Sequence, residues 1–281
     1  MDKAKNTVSA QRKKRWLHAQ LIIGLVLISA VVIMAVLGRA IAPFDPEQFH
    51  MRSRLSPPSL EFWLGTDRFG RDTFSRVIVG ARATLMIAFS STLLGILLGM
   101  PVGLVAGYFK GWLDEILMRL MDVLMSFPAL LLAMLVVALL GTSGVNAAIA
   151  VGVVFAPPIA RVSRSVMLGL VSASFVSAAR VRGESHLYIV ASELLPNVWP
   201  PMIAELCIRM TYAILASVSL SFLGLGAQPP TAEWGSMIAS NLTLLMVLPW
   251  LTWGPAIAIV MLVIGVHLFG EGLRAWLSRN G

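Results

Sequence analysis

Residues 175–197 read FVSAARVRGESHLYIVASELLPN and form the most polar run in the C-terminal two-thirds of a chain that is otherwise very apolar. Long hydrophobic segments flank this run on both sides. Polar groups are costly inside hydrocarbon, so a polar connection of this length is kept where something outside the bilayer uses it. We therefore predict that the run lies at a membrane face and docks onto another protein.

The composition identifies the chain as an integral membrane protein. Hydrophobic residues make up 57% and charged residues 13% of its 281 positions, and the mean hydropathy is +0.82. A soluble domain carries about twice that share of charge. The net charge is +8, and the positions of the basic residues along the chain indicate membrane topology. Nucleic acid is therefore not expected as a partner.

The sequence gives little indication of metal or redox chemistry. Cys207 is the only cysteine, so a disulfide within the chain is excluded, and we interpret it as a small buried hydrophobic side chain. The four histidines are scattered without the spacing of metal ligands. We predict no catalytic residue, no metal site and no cofactor in this chain.

Apolar runs predict an all-α fold with six transmembrane helices. The runs cover 21–41, 84–108, 123–140 with a kink at Phe127-Pro128, about 146 to the basic stretch at 161–164, about 200–223, and about 251–269. The predicted organisation is a tail at 1–20, a first helix at 21–41, an external segment at 42–83, a five-helix core at 84–272 containing a polar loop at 165–199, and a tail at 273–281.

The distribution of lysine and arginine predicts the orientation. If the N-terminus is cytoplasmic, fourteen basic residues lie on that side and six on the other, all six within 42–83. The positive-inside rule then places both termini and the 165–199 loop in the cytoplasm.

The second apolar run carries a helix-packing pattern. Glycines recur every four residues along it, at Gly95, Gly99, Gly103 and Gly107. Small residues at this spacing share one helical face and let another helix approach closely in lipid. We predict a close-packed face, with a kink at Pro101.

The external segment ends in GTDRFGRDTFSR, residues 65–76. Its charges alternate in sign, and we expect Asp67, Arg68, Arg71 and Asp72 to pair with one another. The two glycines predict tight turns.

The polar run itself predicts a short helix, a turn and a second helix. Ala178 and Ala179 favour a helix and allow a partner surface to come close, whereas Gly183 breaks that helix. We expect Leu195-Pro196-Asn197 to end the second segment before the next span. The alternative is a surface helix without a partner.

The spacing of the run resembles the "EAA" loop of bacterial ABC importer permeases. The matching positions are Ser177-Ala178-Ala179, then Gly183 after three residues, Glu193 after nine more, and Leu195-Pro196 after one more. Ser177 stands where the family pattern has glutamate, and Glu193 stands at a usually apolar or histidine position. Asn197 completes the predicted ATPase-coupling residues.

Two further motifs narrow the resemblance. GTDRFGRDTFSR is similar to the external signature of the "C" permease subunit of dipeptide, oligopeptide and nickel importers. SFLGLG at 221–226, followed by Gln228-Pro229-Pro230 and Trp234-Gly235, is similar to the segment after the fifth helix of the same subunits. The three motifs occur in the family's order.

The resemblance implies a type I ABC importer permease in the bacterial inner membrane, with 42–83 periplasmic. It implies a homologous second permease, two ATPases on the cytoplasmic loops, a periplasmic or lipid-anchored solute-binding protein, and membrane lipid as partners. ATP and Mg²⁺ would then be bound by the ATPases, and this chain would not be an enzyme; it contains no phosphate-binding G-x-x-x-x-G-K-[ST] motif. A di- or oligopeptide is the expected cargo, and nickel or a metal chelate is the alternative.

The fifth run contains an unusual pair of charges. Glu205 and Arg209 are four residues apart, which places them one turn apart on one helical face in the favourable order. Charges at membrane depth normally face the bundle interior or a wet cavity. We predict that the pair lines the translocation path; the alternative is a structural pair, or one that meets the second permease.

Two other classes of protein fit the sequence less well. A stand-alone secondary transporter or channel would show inverted repeats or several intramembrane carboxylates, but the sequence shows no clear repeat and only Glu205 within a span. A membrane scaffold would not need a glycine-rich span together with intramembrane charge.

Overall fold

A computed structural model describes the backbone of residues 2–280 and the side chains of residues 19–277. The basic side chains at positions 3–15, which contribute to the predicted orientation, lie outside the described side chains, as does that of Arg279. Across the described backbone the chain is helical, with one isolated bridge between Thr66 and Asp72.

The helices follow one another with short connections, except for the external segment between the first two. Their bounds are α1 (Asp2–Ile41), α2 (Thr73–Phe109), α3 (Gly111–Met125), α4 (Ala129–Leu140), α5 (Gly144–Val171), α6 (Ser174–Val181), α7 (His186–Tyr188), a π-helical turn (Ile189–Leu194), α8 (Leu195–Phe222), α9 (Trp234–Asn241) and α10 (Trp250–Asn280).

Five described helical segments are long and apolar enough to cross a membrane, and α3 with α4 raises the number to six if that bent pair counts as one span. This agrees with the predicted six-helix, all-α membrane fold. The bend predicted at Phe127-Pro128 is confirmed in place, but it separates two helices, since α3 ends at Met125, α4 begins at Ala129 and the two meet at 88°. The prediction of a single third helix over 123–140 is therefore wrong. Pro128 explains the break, since it lacks an N–H and disfavours helical geometry at the residue before it.

Ion pairs hold the unexpected helix α3 against α5. Both Nε and Nη2 of Arg164 donate to the carboxylate of Asp114 at 2.5 Å. Arg161 donates to Asp122 at the same distance. The residues interpreted from sequence as a charged connection therefore form a helix that is attached to the core.

The second long helix begins eleven residues before the predicted start at residue 84. Asp72 caps it by accepting a hydrogen bond from the backbone N–H of Ser75 at 2.9 Å. Arg76, in its first turn, is buried and donates to the carbonyl of Pro46 at 3.1 Å. Because the partner of Arg76 lies thirty positions away, the local sequence indicates a loop at this polar residue. This explains why the predicted start of α2 was wrong.

The glycine face is confirmed, and its partner is α5 of the same chain. A Cβ added to Gly99 or Gly103 would overlap the carbonyl oxygen of Ala156 or Ala160, respectively. A Cβ on Gly107 would lie 2.8 Å from that of Met167. The glycines therefore bring the backbones of α2 and α5 into direct contact.

The two ends of the bundle are well defined. A Cβ on Gly272 of α10 would meet Leu21 of α1, and one on Gly265 would meet Leu27, so these helices run antiparallel. The α1 segment near Leu21 and the last turns of α10 therefore lie at one end. The 174–197 segment lies at the same end, since its Asn197 lines one cleft with Arg274 and Leu277 of α10. The external segment lies at the other, where a Cβ on Gly65 would meet Trp250.

The charges of the external segment pair only in part as predicted. Arg71 lies 2.7 Å from Asp67, which confirms that pair. Arg68 instead donates to the hydroxyl of Thr243, and Asp72 serves as the helix cap. The expected four-membered charge cluster is therefore one ion pair plus two separate contacts.

A buried tryptophan joins the α8–α10 connection to α2. Trp234 is fully buried, and its indole N–H donates to the carbonyl of Val77 at 2.8 Å. The buried carboxylate of Glu233 accepts backbone N–H bonds from Gly235 and Ser236 at 3.0 and 2.9 Å, capping α9. The motif noted at 234–235 is thus a structural link between helices.

Candidate functional site: a docking segment and an ion pair

The predicted docking run forms a helix, a turn and a longer helix. After α5 ends at Val171, helix α6 covers Ser174–Val181, and Gly183 adopts φ +78° in the turn that follows. This left-handed conformation favours glycine. We name residues 174–197 the docking segment.

The second part of the docking segment does not end at Leu195-Pro196-Asn197. Helix continues from His186 to Phe222, so the predicted termination there is wrong. Pro196 lies at the start of α8, immediately after the π-helical turn Ile189–Leu194. A proline lacks an N–H and crowds the carbonyl four residues earlier in a helix. Here the residue four positions earlier lies within the wider π turn, and the helix continues without a break.

The two alanines of the docking segment face opposite ways. Ala178 is exposed, as predicted for a residue that lets a partner approach. Ala179 is fully buried with Val176 and Met167, so it packs against its own chain and is not available to a partner. Ser177, beside them, is exposed.

The most exposed apolar side chains of the docking segment were not singled out from sequence. Val181 is 89% exposed and Leu187 is 80% exposed, with Tyr188 beside them at 43%. They flank the turn at Gly183, where a local pattern reads only as a polar loop. The one feature of the sequence that could have indicated this surface is the presence of apolar residues on both sides of a turn within a polar run.

Glu193 makes its contacts within the docking segment itself. Its carboxylate lies 3.2 Å from Arg182, which also lies 3.6 Å from Glu184. The side-chain amide of Asn197 donates to the carbonyl of Glu193 at 2.7 Å. These contacts tie the turn to the start of α8 and fix the position of the exposed apolar side chains.

A hydrogen bond connects the docking segment to the glycine-lined helix. The hydroxyl of Tyr108, at the end of α2, lies 2.7 Å from Nδ1 of His186. The two rings meet edge to face, with centroids 5.7 Å apart. The docking segment therefore contacts α2 directly and continues covalently into α5 and α8.

Glu205 and Arg209 form the predicted ion pair, with Nη2 of Arg209 2.6 Å from the carboxylate. Their side chains are 16% and 21% exposed, respectively. Glu205 lines an open cleft of about 490 Å³ between α5, α8 and α10, together with Arg274. The cleft reaches Asn197, so it extends from the docking segment into the bundle.

The chain is similar to known transport proteins. Residues 99–280 match the family described as "binding-protein-dependent transport system inner membrane component". The chain is 36% identical to the dipeptide transport system permease protein DppC of Alkalihalophilus pseudofirmus, covering 90% of this chain and 83% of that protein. It is 41% identical to the glutathione transport system permease protein GsiD of Escherichia coli O6:K15:H31, covering 87% and 81%.

The fold is also similar to solved structures. Two crystal structures of the MetNI methionine ABC transporter in inward-facing conformations match with TM-scores of 0.60 and 0.52, at 19% and 21% sequence identity. The first match covers 73% of this chain and 96% of the other. At this identity the likeness concerns the fold alone.

Proposed function

The chain belongs to the binding-protein-dependent transport system inner membrane component family, the permeases of ATP-binding-cassette importers, and from this premise we propose that its cargo is a short peptide. Such a permease forms part of a path through the bacterial inner membrane and works with partner subunits. The observation that carries the cargo proposal is its similarity, over more than four-fifths of both chains, to permeases named for a dipeptide and for glutathione, itself a tripeptide.

We propose that the docking segment receives the ATPase subunit. Val181, Leu187 and Tyr188 offer an exposed apolar surface held by the Arg182–Glu193 contact. Burial of such side chains in a partner groove supplies binding energy. ATP and Mg²⁺ would be bound by the ATPase, and movement of the segment would reach α2 through Tyr108 and His186.

The complete assembly is proposed to contain a homologous second permease, two ATPases and a solute-binding protein. The docking segment lies at the same end of the bundle as the part of α1 near Leu21 and the last turns of α10. Together with the excess of basic residues, this favours a cytoplasmic docking segment and a periplasmic external segment.

We further propose that Glu205 and Arg209 line the path. The proposal rests on an ion pair only partly exposed within a span and on a cleft that Glu205 lines and that continues toward Asn197 of the docking segment. Intramembrane charges of this kind contact a charged substrate or a wet cavity.

Uptake in proteoliposomes tests the cargo. The chain is co-expressed with a second permease, the ATPases and a solute-binding protein from the same genome, reconstituted, and offered a labelled dipeptide, glutathione, or nickel with and without a chelator. We expect peptide uptake that requires ATP and the binding protein. Uptake of metal alone would contradict the peptide proposal while retaining the importer, and peptide uptake without ATP would contradict ATP coupling.

A further inference from the structure

A basic cavity lies at the end of the bundle proposed above to be periplasmic. It lies between α1, α2 and residues 230–232, which belong to the connection between α8 and α9. Its volume is about 320 Å³. Three arginines, Arg39, Arg76 and Arg82, line it with a single carboxylate, that of Glu47. The charged groups at this cavity therefore carry a net positive charge.

Two of these arginines have no described partner. Arg76 is buried and is engaged by the carbonyl of Pro46. Arg39 and Arg82 are exposed, and among the side chains of residues 19–277 neither makes an ion pair or a hydrogen bond. Arg39 lies in the last turn of α1. An unpaired guanidinium near a membrane interface favours an anion, and its planar donors match phosphate oxygens.

An apolar groove of about 390 Å³ continues from the cavity along the same two helices. It shares Ala35, Val36, Arg82 and Met86 with the cavity and is otherwise lined by apolar side chains, among them Val32 and Phe89. Val36 is 73% exposed and Phe89 57% exposed. The groove therefore opens sideways, on the face of α1 that exposes other large hydrophobic residues.

We propose that the cavity and groove together bind one anionic phospholipid of the outer leaflet, with its phosphate at Arg39 and Arg82 and an acyl chain between α1 and α2. The joined site is cationic at one end and apolar along its length, which matches an anionic amphiphile. A soluble phosphate would use the cavity but leave the groove empty. The proposal is independent of the cargo.

Native mass spectrometry of the complete complex in mild detergent tests the site. The bound lipid is measured during titration with phosphatidylglycerol and, separately, phosphatidylcholine. A membrane-surface arginine changes anionic lipid binding by about fivefold, so Arg39→Gln and Arg82→Gln should each weaken phosphatidylglycerol binding by about that factor. Arg52→Gln, at an exposed arginine of the external segment that does not line the cavity, is the matched control and should bind normally.

A second pair of variants tests the groove without a change of charge. Val36→Trp fills the groove and should lower phosphatidylglycerol retention, whereas Ile33→Trp, on the exposed face of α1 but outside the groove, should not. Equal binding of the two lipids to the wild-type complex would overturn the proposal. So would unchanged binding in the arginine variants and in Val36→Trp, or a groove covered by the second permease and free of lipid.

Discussion

The hydroxyl of Tyr108 lies 2.7 Å from Nδ1 of His186, and this contact joins the end of α2 to the docking segment. Along α2, the glycines hold that helix against α5. A displacement of the docking segment therefore acts on a closely packed pair of helices. If the docking segment receives the ATPase, as proposed, this hydrogen bond is a specific point at which ATPase movement would be uncoupled from transport.

Tyr108→Phe should weaken coupling while leaving the subunit folded. A hydrogen bond of this kind contributes about 1 kcal/mol, or about a fivefold change in an equilibrium. We expect the ratio of peptide imported to ATP hydrolysed to fall by up to about that factor. Tyr212→Phe is the control, because Tyr212 is 53% exposed and its hydroxyl has no hydrogen-bond partner among the described side chains. An unchanged ratio in Tyr108→Phe would remove this contact from the coupling route.

Gly103→Ala should destabilise the subunit, because its new Cβ would overlap the carbonyl oxygen of Ala160. Overpacking of this kind costs about 1–3 kcal/mol, and thermal unfolding of the purified complex measures it as a lower midpoint. Gly169→Ala on α5 is the matched control, since nothing lies within 4 Å of its Cβ position. Its midpoint should stay unchanged or rise, because alanine favours the helix. Equal midpoints for the two variants would contradict the α2–α5 packing.

The sequence was sufficient for features that depend on local composition and periodicity. The apolar runs give the six-span fold, and four-residue spacing gives the glycine face and the Glu205–Arg209 pair. The spans follow from the transfer of apolar side chains into hydrocarbon. The glycine face and the ion pair follow from helical geometry, which relates residues one or two turns apart.

Features that depend on distant partners were not predictable. Arg76 looks like a loop residue until Pro46 is seen to accept its hydrogen bond. The helix continues through Pro196 directly after a π turn, which no local pattern in the sequence indicates. Ala178 and Ala179 are chemically identical, so only the packing of α6 on the core decides which one a partner can reach.

Arg209→Ala should lower uptake because it leaves the carboxylate of Glu205 unpaired in a cleft within the membrane. The double variant Glu205→Gln/Arg209→Gln removes both charges, leaves no unpaired carboxylate and should assemble normally, measured by co-purification of the partner subunits. If the pair lines the path, uptake should remain low in the double variant. Recovery of uptake together with assembly would assign the pair a structural role.

Trp234→Phe should destabilise the link between the α8–α10 connection and α2. It removes both a buried hydrogen bond to Val77 and part of a fully buried side chain. We expect a loss of about 2 kcal/mol in unfolding free energy, seen as a lower thermal midpoint. Trp253→Phe, at a site 60% exposed, should unfold like the wild type. A Trp234→Phe variant as stable as this control would contradict the structural role of the motif.

The central claim, that the docking segment receives the ATPase, is tested most directly by co-purification of the ATPase with Leu187→Glu. Leu187 is 80% exposed on the docking segment, and Met246, at the opposite end of the bundle, is 93% exposed, so Met246→Glu makes the same change of charge elsewhere. We predict that Leu187→Glu loses most of the bound ATPase and its ATP-dependent uptake but keeps the second permease, and that Met246→Glu keeps both. Full ATPase retention and uptake in Leu187→Glu would contradict the claim.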